Sequence, residues 1–238
     1  MLSGFCFVGI FSPLMTFGQV AEVDVDSLEP IDAFLTQFLL IGTLGLWLFV
    51  AFVGVPRLSR KRMAALARRH LGLRLRAPGL ELLVGVWAGL AAWAAVLMAA
   101  LVFGLFVMAV AGEEAVAQEP SEVIVWMAGL PVAIRLLISL TAGVVEEVFF
   151  RGFLQQRVGI AASTVLFVGG HAGYGQPMML FGLTLLSLLY AYLTRWRGSV
   201  WAAIVAHFLF DAVQLLIVIP GVLEASARGL IVGFAWVG

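Results

Sequence analysis

Apolar residues run in stretches of about 20, separated by short polar or turn-forming breaks, a pattern that predicts helices long enough to cross a bilayer. Pro30 and Asp32 mark a helix start, and a first span is expected over residues 33–55, closed by Pro56. A second helix is expected over 80–111, where Gly85, Gly89, Ala92 and Gly104 are the small residues that let membrane helices approach closely. Pro131 suits the first turn of a helix running through Glu146 to residue 156, and Arg157-Val158-Gly159 reads as a break. Residues 160–172 then form a helix too short to span alone, followed by the turn-rich Gly173-Tyr174-Gly175-Gln176-Pro177. A helix over 178–194 leads to Arg195-Trp196-Arg197-Gly198, an interfacial connection with an aromatic anchor. Residues 199–219 span again and stop at Pro220-Gly221.

Three units follow: an apolar segment, first transmembrane helix and basic loop over 1–79; a core over 80–219; and an apolar, glycine-broken tail over 220–238. Residues 1–20 are apolar without a basic leader region, so a short helix or re-entrant segment fits as well as a cleaved signal. No internal repeat is visible.

Composition supports this pattern. Hydrophobic residues make up 63% of the chain and charged residues 12%, and mean hydropathy is +1.08, which excludes an ordinary soluble domain. The expected fold is all-α, a polytopic transmembrane bundle of about six to eight helices with a buried mid-membrane site. A net charge of zero offers no electrostatic case for nucleic acid. The single cysteine, Cys6, can form no intramolecular disulfide.

Eight of the fourteen basic residues fall within 57–76, while acidic residues cluster at 22–32 and 113–122. The positive-inside rule therefore makes 57–76 a cytoplasmic loop of an integral membrane protein, expected in the plasma membrane, and the loop can also touch anionic lipid.

Against that background, Glu146-Glu147-Val148-Phe149-Phe150-Arg151-Gly152 places two carboxylates and an arginine inside an apolar helix. Ionisable groups at membrane depth mark pathways and active sites. Residues four apart share a helix face, so Glu147 meets Arg151 as a neutralised structural pair and Glu146 is left as the working carboxylate. His171 follows Phe167 by four residues, and His207 precedes Asp211 by four. An aspartate accepting from one imidazole nitrogen orients the ring and leaves the other nitrogen for substrate, water or metal.

Glu146 lies eleven residues before Arg157, His171 fourteen after it, and His207 ten after Arg197. Those offsets are about 15–21 Å of helix. The three positions meet at similar depth when Arg157 and Arg195/Arg197 share one interface. Two mechanisms fit. Glu146 with His171 deprotonates water while His207 and Asp211 hold the developing oxyanion. Alternatively, Glu146, His171, His207 and Asp211 ligate Zn²⁺, which activates the water, although no HExxH helix is present.

EEVFFRG, FVGGH and HFLFD, in that order, resemble the three motifs EExxxR, FxxxH and Hxxx(D/N) of the CPBP (Abi, type II CAAX prenyl endopeptidase) family. The matching positions are Glu146, Glu147 and Arg151; Phe167 and His171; His207 and Asp211. Leu189-Tyr190 and Arg197-Gly198-Ser199-Val200-Trp201 look like the family's approach to the last histidine. The resemblance implies an all-helical intramembrane endopeptidase acting on a membrane-associated peptide or lipidated protein. Its catalytic residues fall on Glu146, His171, His207 and Asp211, with Glu147, Arg151 and Phe167 in support. Asp211 stands where the prenyl-protein members have asparagine. A carboxylate there is the poorer oxyanion donor and the better metal ligand or histidine orienter. Two other classes compete: a proton-coupled transporter, disfavoured by the absence of repeats, and a non-catalytic scaffold or immunity regulator, which need not retain every motif residue.

Overall fold

The computed structural model describes residues 25–52, 65, 69–75, 77–115, 121–172 and 176–228, and regular structure among them is entirely helical. The expectations for residues 1–20, for Pro56, for most of the basic loop and for 229–238 lie outside the described residues. We number the helices α1 (Pro30–Phe52), α2 (Pro78–Ala111), α3 (Glu122–Gly129), α4 (Val132–Glu146), α5 (Gln155–Gly169), α6 (Pro177–Arg197), α7 (Trp201–Val213) and α8 (Ile219–Ala227). A π-helical segment, Glu147–Leu154, joins α4 to α5, and a second, Gln214–Val218, joins α7 to α8. Three helical stretches are long and apolar enough to cross a membrane: Pro78–Ala111, Pro177–Arg197 and Trp201–Ala227. α1 adds a shorter apolar stretch over Pro30–Leu46. These features make the chain an integral membrane protein with a helical bundle fold.

The predicted breaks follow local chemistry. Gly159 interrupts α5 with φ 84° and ψ 172°, a conformation that L side chains resist. The chain turns back there, so that Ser163 Oγ donates to Phe150 O at 2.9 Å and Phe167 meets Phe150 edge-on at 5.1 Å. α6 ends at Gly198 in the left-handed region (φ 61°, ψ 27°), as a C-terminal glycine allows. The expected stop at Pro220-Gly221 does not occur. The helix begun at Trp201 passes into α8 because the preceding π turn shifts the hydrogen-bond register, with Ile219 N–H donating to Gln214 O. Pro220 has no N–H for the next carbonyl, Leu215 O, and the Arg135 guanidinium donates to it instead at 3.0 Å.

α7 is the central helix and packs against α2, α4 and α6. The close approach depends on glycine. A Cβ at Gly85 would lie 2.8 Å from Ala202 O, one at Gly89 2.9 Å from Ala206 O, and one at Gly143 3.0 Å from Ile204 O. Gly85, Gly89 and Ala92 are thus the small-residue contacts expected of α2, whereas Gly104 is only half-buried. Two helices pinch the backbone of α7 on either side of His207.

One end of the bundle is tied by long-range polar contacts. Glu81, in the first turn of α2, pairs with Arg197 at the end of α6 at 2.8 Å. Val200 N–H donates to Gly72 O at 3.0 Å, and Gly72 also lies against Gln156. Arg197, the neighbour of Arg157 and the tail of the basic segment therefore share one end, the condition under which the motif residues meet at one depth.

Candidate active site

The sequence EEVFFRG lies at and within the first π segment. In an α-helix adjacent side chains diverge by about 100°. Glu146 and Glu147 both keep αR backbone angles at the start of the π segment, and π turns recur at functional sites. Both carboxylates nevertheless reach one imidazole, because α7 carries His207 between them. Glu147 Oε1 lies 2.9 Å from His207 Nδ1, and Glu146 Oε2 lies 3.9 Å from His207 Nε2.

The π segment is held by its surroundings. Phe150 O accepts from Gln155 N–H and also from Ser163 Oγ of the returning half of α5. Gly152 faces the carbonyl of Leu71, so close that a Cβ would overlap it. Leu71 itself is fully buried in the cluster formed by Val148, Phe149, Phe150 and Val200. A leucine flanked by exposed Arg69, His70 and Arg74 thus plugs the base of the site.

Arg151 pairs with Glu147 at 3.1 Å, as the four-residue spacing predicts, and both side chains are excluded from solvent (1% and 0%). Its guanidinium also lies 4.3 Å from the centre of the Phe167 ring and 5.9 Å from those of Phe150 and Tyr190. A desolvated cation over aromatic rings gains about 2 kcal/mol, which helps offset removal from water. Phe167 is therefore a platform for Arg151 as well as a neighbour of His171, whose ring it meets at 4.8 Å.

His207 is 7% exposed and contacted on every side. Glu147 holds Nδ1; Asp211 Oδ2 approaches Nε2 at 3.4 Å. The sequence left Asp211 as oxyanion stabiliser, metal ligand or orienter of His207, and gave Glu147 only Arg151 as a partner. Instead, Glu147 serves both Arg151 and His207, and Asp211 shares the Nε2 side with Glu146. Asp211 is also the most open of these groups, at 26%.

His171 lies at the end of α5, and its Nδ1–H donates to Phe167 O at 2.8 Å. A neutral ring in that tautomer carries its lone pair on Nε2. Glu146 is within electrostatic reach of His171, His207, Asp211 and Arg151. The structure therefore brings together every predicted site residue. His70, in the basic segment, is exposed.

The metal alternative fares differently. Among the described residues, no group of three or more His, Cys, Asp or Glu side chains has the arrangement to hold a metal ion. Nδ1 of His171 meets a carbonyl and Nδ1 of His207 meets Glu147, which leaves the two Nε2 atoms to face the site. As placed, Glu146, His171, His207 and Asp211 do not converge on one coordination point.

Sequence reasoning did not single out Leu71, Gly143, Gly152 or Ser163. Gly143 carried the same signal as Gly85 and Gly89, a small residue in an apolar helix. The others take their roles from contacts remote in sequence.

Residues 128–213 match the family described as Rce1-like, type II CAAX prenyl endopeptidase. The matched segment contains all the motif residues and leaves α1 and α2 outside it. The chain is also similar to the uncharacterized protein YpbD of Bacillus subtilis (strain 168), at 32% identity over 79 residues. That similarity covers 33% of this chain and 42% of the relative, less than half its length. No solved structure matches the chain.

Proposed function

We propose that this chain, whose residues 128–213 match the family described as Rce1-like, type II CAAX prenyl endopeptidase, is an intramembrane endopeptidase that uses glutamate and histidine to activate water. The observation that carries this reading is the approach of Glu146 Oε2 to His207 Nε2, at 3.9 Å, beside Asp211 and within reach of His171. A gap of that size between two polar groups admits a hydrogen-bonding guest, and apo catalytic contacts are often long.

In this mechanism a water beside Glu146 loses a proton to the carboxylate, aided by His171. The hydroxide adds to the scissile carbonyl carbon, and the negative charge passes to the carbonyl oxygen. Carboxylates stand at both nitrogens of His207, so the ring form that satisfies both contacts carries a proton on each. Its Nε2–H is then a donor for the oxyanion. Collapse of the tetrahedral intermediate breaks the C–N bond, and the proton held by Glu146 passes to the leaving amine. Glu147 keeps the imidazole in register, and Arg151 neutralises Glu147. Asp211 supports the donor state of His207 and does not itself donate to the oxyanion. Substrates of this site are peptides or lipidated proteins at a membrane, and the basic loop over 57–76 faces the cytoplasm by the positive-inside rule.

The test is cleavage of membrane-tethered peptides by protein reconstituted in liposomes, comparing wild type with Glu146→Gln, with and without a metal chelator. Wild-type cleavage that is lost in the variant and indifferent to chelation is expected. Turnover retained by Glu146→Gln removes Glu146 from the mechanism. Loss on chelation with recovery on added zinc reverses the choice between the two mechanisms.

A further inference from the structure

We propose that Tyr190 is a positioning residue for the site: its ring fixes the plane of the His207 imidazole and so keeps Nε2 aimed at Glu146. The inference rests on the peptidase reading for its catalytic consequence and on geometry alone for the positioning itself.

The Glu147 contact holds His207 at one atom, Nδ1. A single hydrogen bond leaves the ring free to pivot, because the outer torsion of a histidine side chain has broad, shallow minima. Asp211 approaches Nε2 at 3.4 Å but is the most solvent-open partner, so it restrains the ring less than a buried contact does. Tyr190 supplies what is missing. Its ring stacks on the imidazole with centroids 5.3 Å apart and planes 27° from parallel. Phe167 closes an edge at 6.5 Å and 72°, where it limits tilt less effectively.

Tyr190 is itself fixed. It is 1% exposed, and its hydroxyl donates to Ala206 O at 3.4 Å, the carbonyl of the residue that precedes His207. Arg151 lies 5.9 Å from its ring, so the cation that neutralises Glu147 also draws in the aromatic ring that stacks on His207. One turn earlier on α6, Ser187 donates to Thr164 Oγ1 at 3.0 Å, which secures that face of α6 against α5. The tyrosine is thus anchored to the helix that carries the histidine, and the stacking distance follows α7 rather than floating with α6.

With the ring gone, the imidazole pivots about its Nδ1 contact and Nε2 leaves the Glu146 side. A misplacement of about 1 Å costs about 100-fold in rate. Tyr190→Phe loses the long hydrogen bond to Ala206 O but retains the stack, because burial, the Arg151 contact and the Ser187–Thr164 bond still hold the ring in place. Tyr190→Leu loses the stack, and Tyr190→Met does so with a more adaptable filler should the leucine variant not fold.

The experiment has two arms on detergent-solubilised protein labelled at histidine. The first reads the ring-proton chemical shifts of His207, assigned with His70→Gln and His171→Gln. Wild type and Tyr190→Phe should show the upfield displacement that a stacked ring imposes, and Tyr190→Leu or Tyr190→Met should lose it. The second reads peptide cleavage against the Glu146→Gln background. Here kcat should fall about 100-fold in the leucine or methionine variant, with KM unchanged and the phenylalanine variant close to wild type. Unchanged His207 shifts in the leucine and methionine variants overturn the proposal, as does a phenylalanine variant as impaired as leucine. Wild-type turnover no higher than Glu146→Gln defeats the peptidase reading, and the shift arm then decides the positioning role by itself.

Discussion

Gly143→Ala offers the sharpest test of how the bundle places His207. Gly143 sits in α4, one turn before Glu146, and faces the backbone of α7 where that helix carries the histidine. An added Cβ would lie 3.0 Å from Ile204 O and 3.1 Å from Phe208 N. Both are main-chain atoms of a helix interior and cannot rotate away. Ordinary contact begins at 3.4 Å, so α4 and α7 must part by about 0.4 Å. Overpacking of this kind costs about 1–3 kcal/mol. Alanine regains about 1 kcal/mol of helix propensity, so the net stability loss is small. The rate is more sensitive. If about 1 Å of misplacement costs about 100-fold, a separation of this size costs about sixfold in kcat. The assay is cleavage kinetics in liposomes, with thermal unfolding in parallel and Gly45→Ala as control, since nothing lies within 4 Å of a Cβ at Gly45. A Gly143→Ala protein with wild-type kcat and wild-type unfolding would refute the claim that glycine contact sets the position of α7.

Glu147→Gln should abolish activity and also lower stability by about 3–5 kcal/mol, because it strands the Arg151 charge in a buried site. A stable but inactive variant contradicts the structural half of that role. Leu71→Ala should cost about 2–5 kcal/mol, since the side chain is fully buried beneath the π segment. Thermal inactivation measures this, and the exposed Leu75→Ala should be near neutral by comparison.

Much of this protein was legible because its signals are local. Membrane helices announce themselves by unbroken apolar runs, since every backbone group in lipid must be satisfied within its own segment. Gly159 and Gly198 terminate helices through backbone conformations that depend on those residues alone. The Glu147–Arg151 pair follows from one turn of helix. The set Glu146, His171, His207 and Asp211 stood out because charge is rare at membrane depth.

What the tertiary structure decided is who touches whom. The partner of His207 Nδ1 is 60 residues away in sequence, and the helical face rule pointed to Asp211 instead. That rule sees one helix at a time, whereas the packing of α7 beside the π segment brings one ring within reach of both glutamates. Pro220 reads as a stop in isolation, yet Arg135, remote in the chain, supplies the donor that Leu215 O needs and the helix continues. The basic stretch around Leu71 reads as solvated loop because periodicity there is polar, and only the packed fold buries Leu71. Apolar pattern and local backbone preference determine which segments become helices. Register, partner and ring orientation depend on contacts that exist only once those helices are packed.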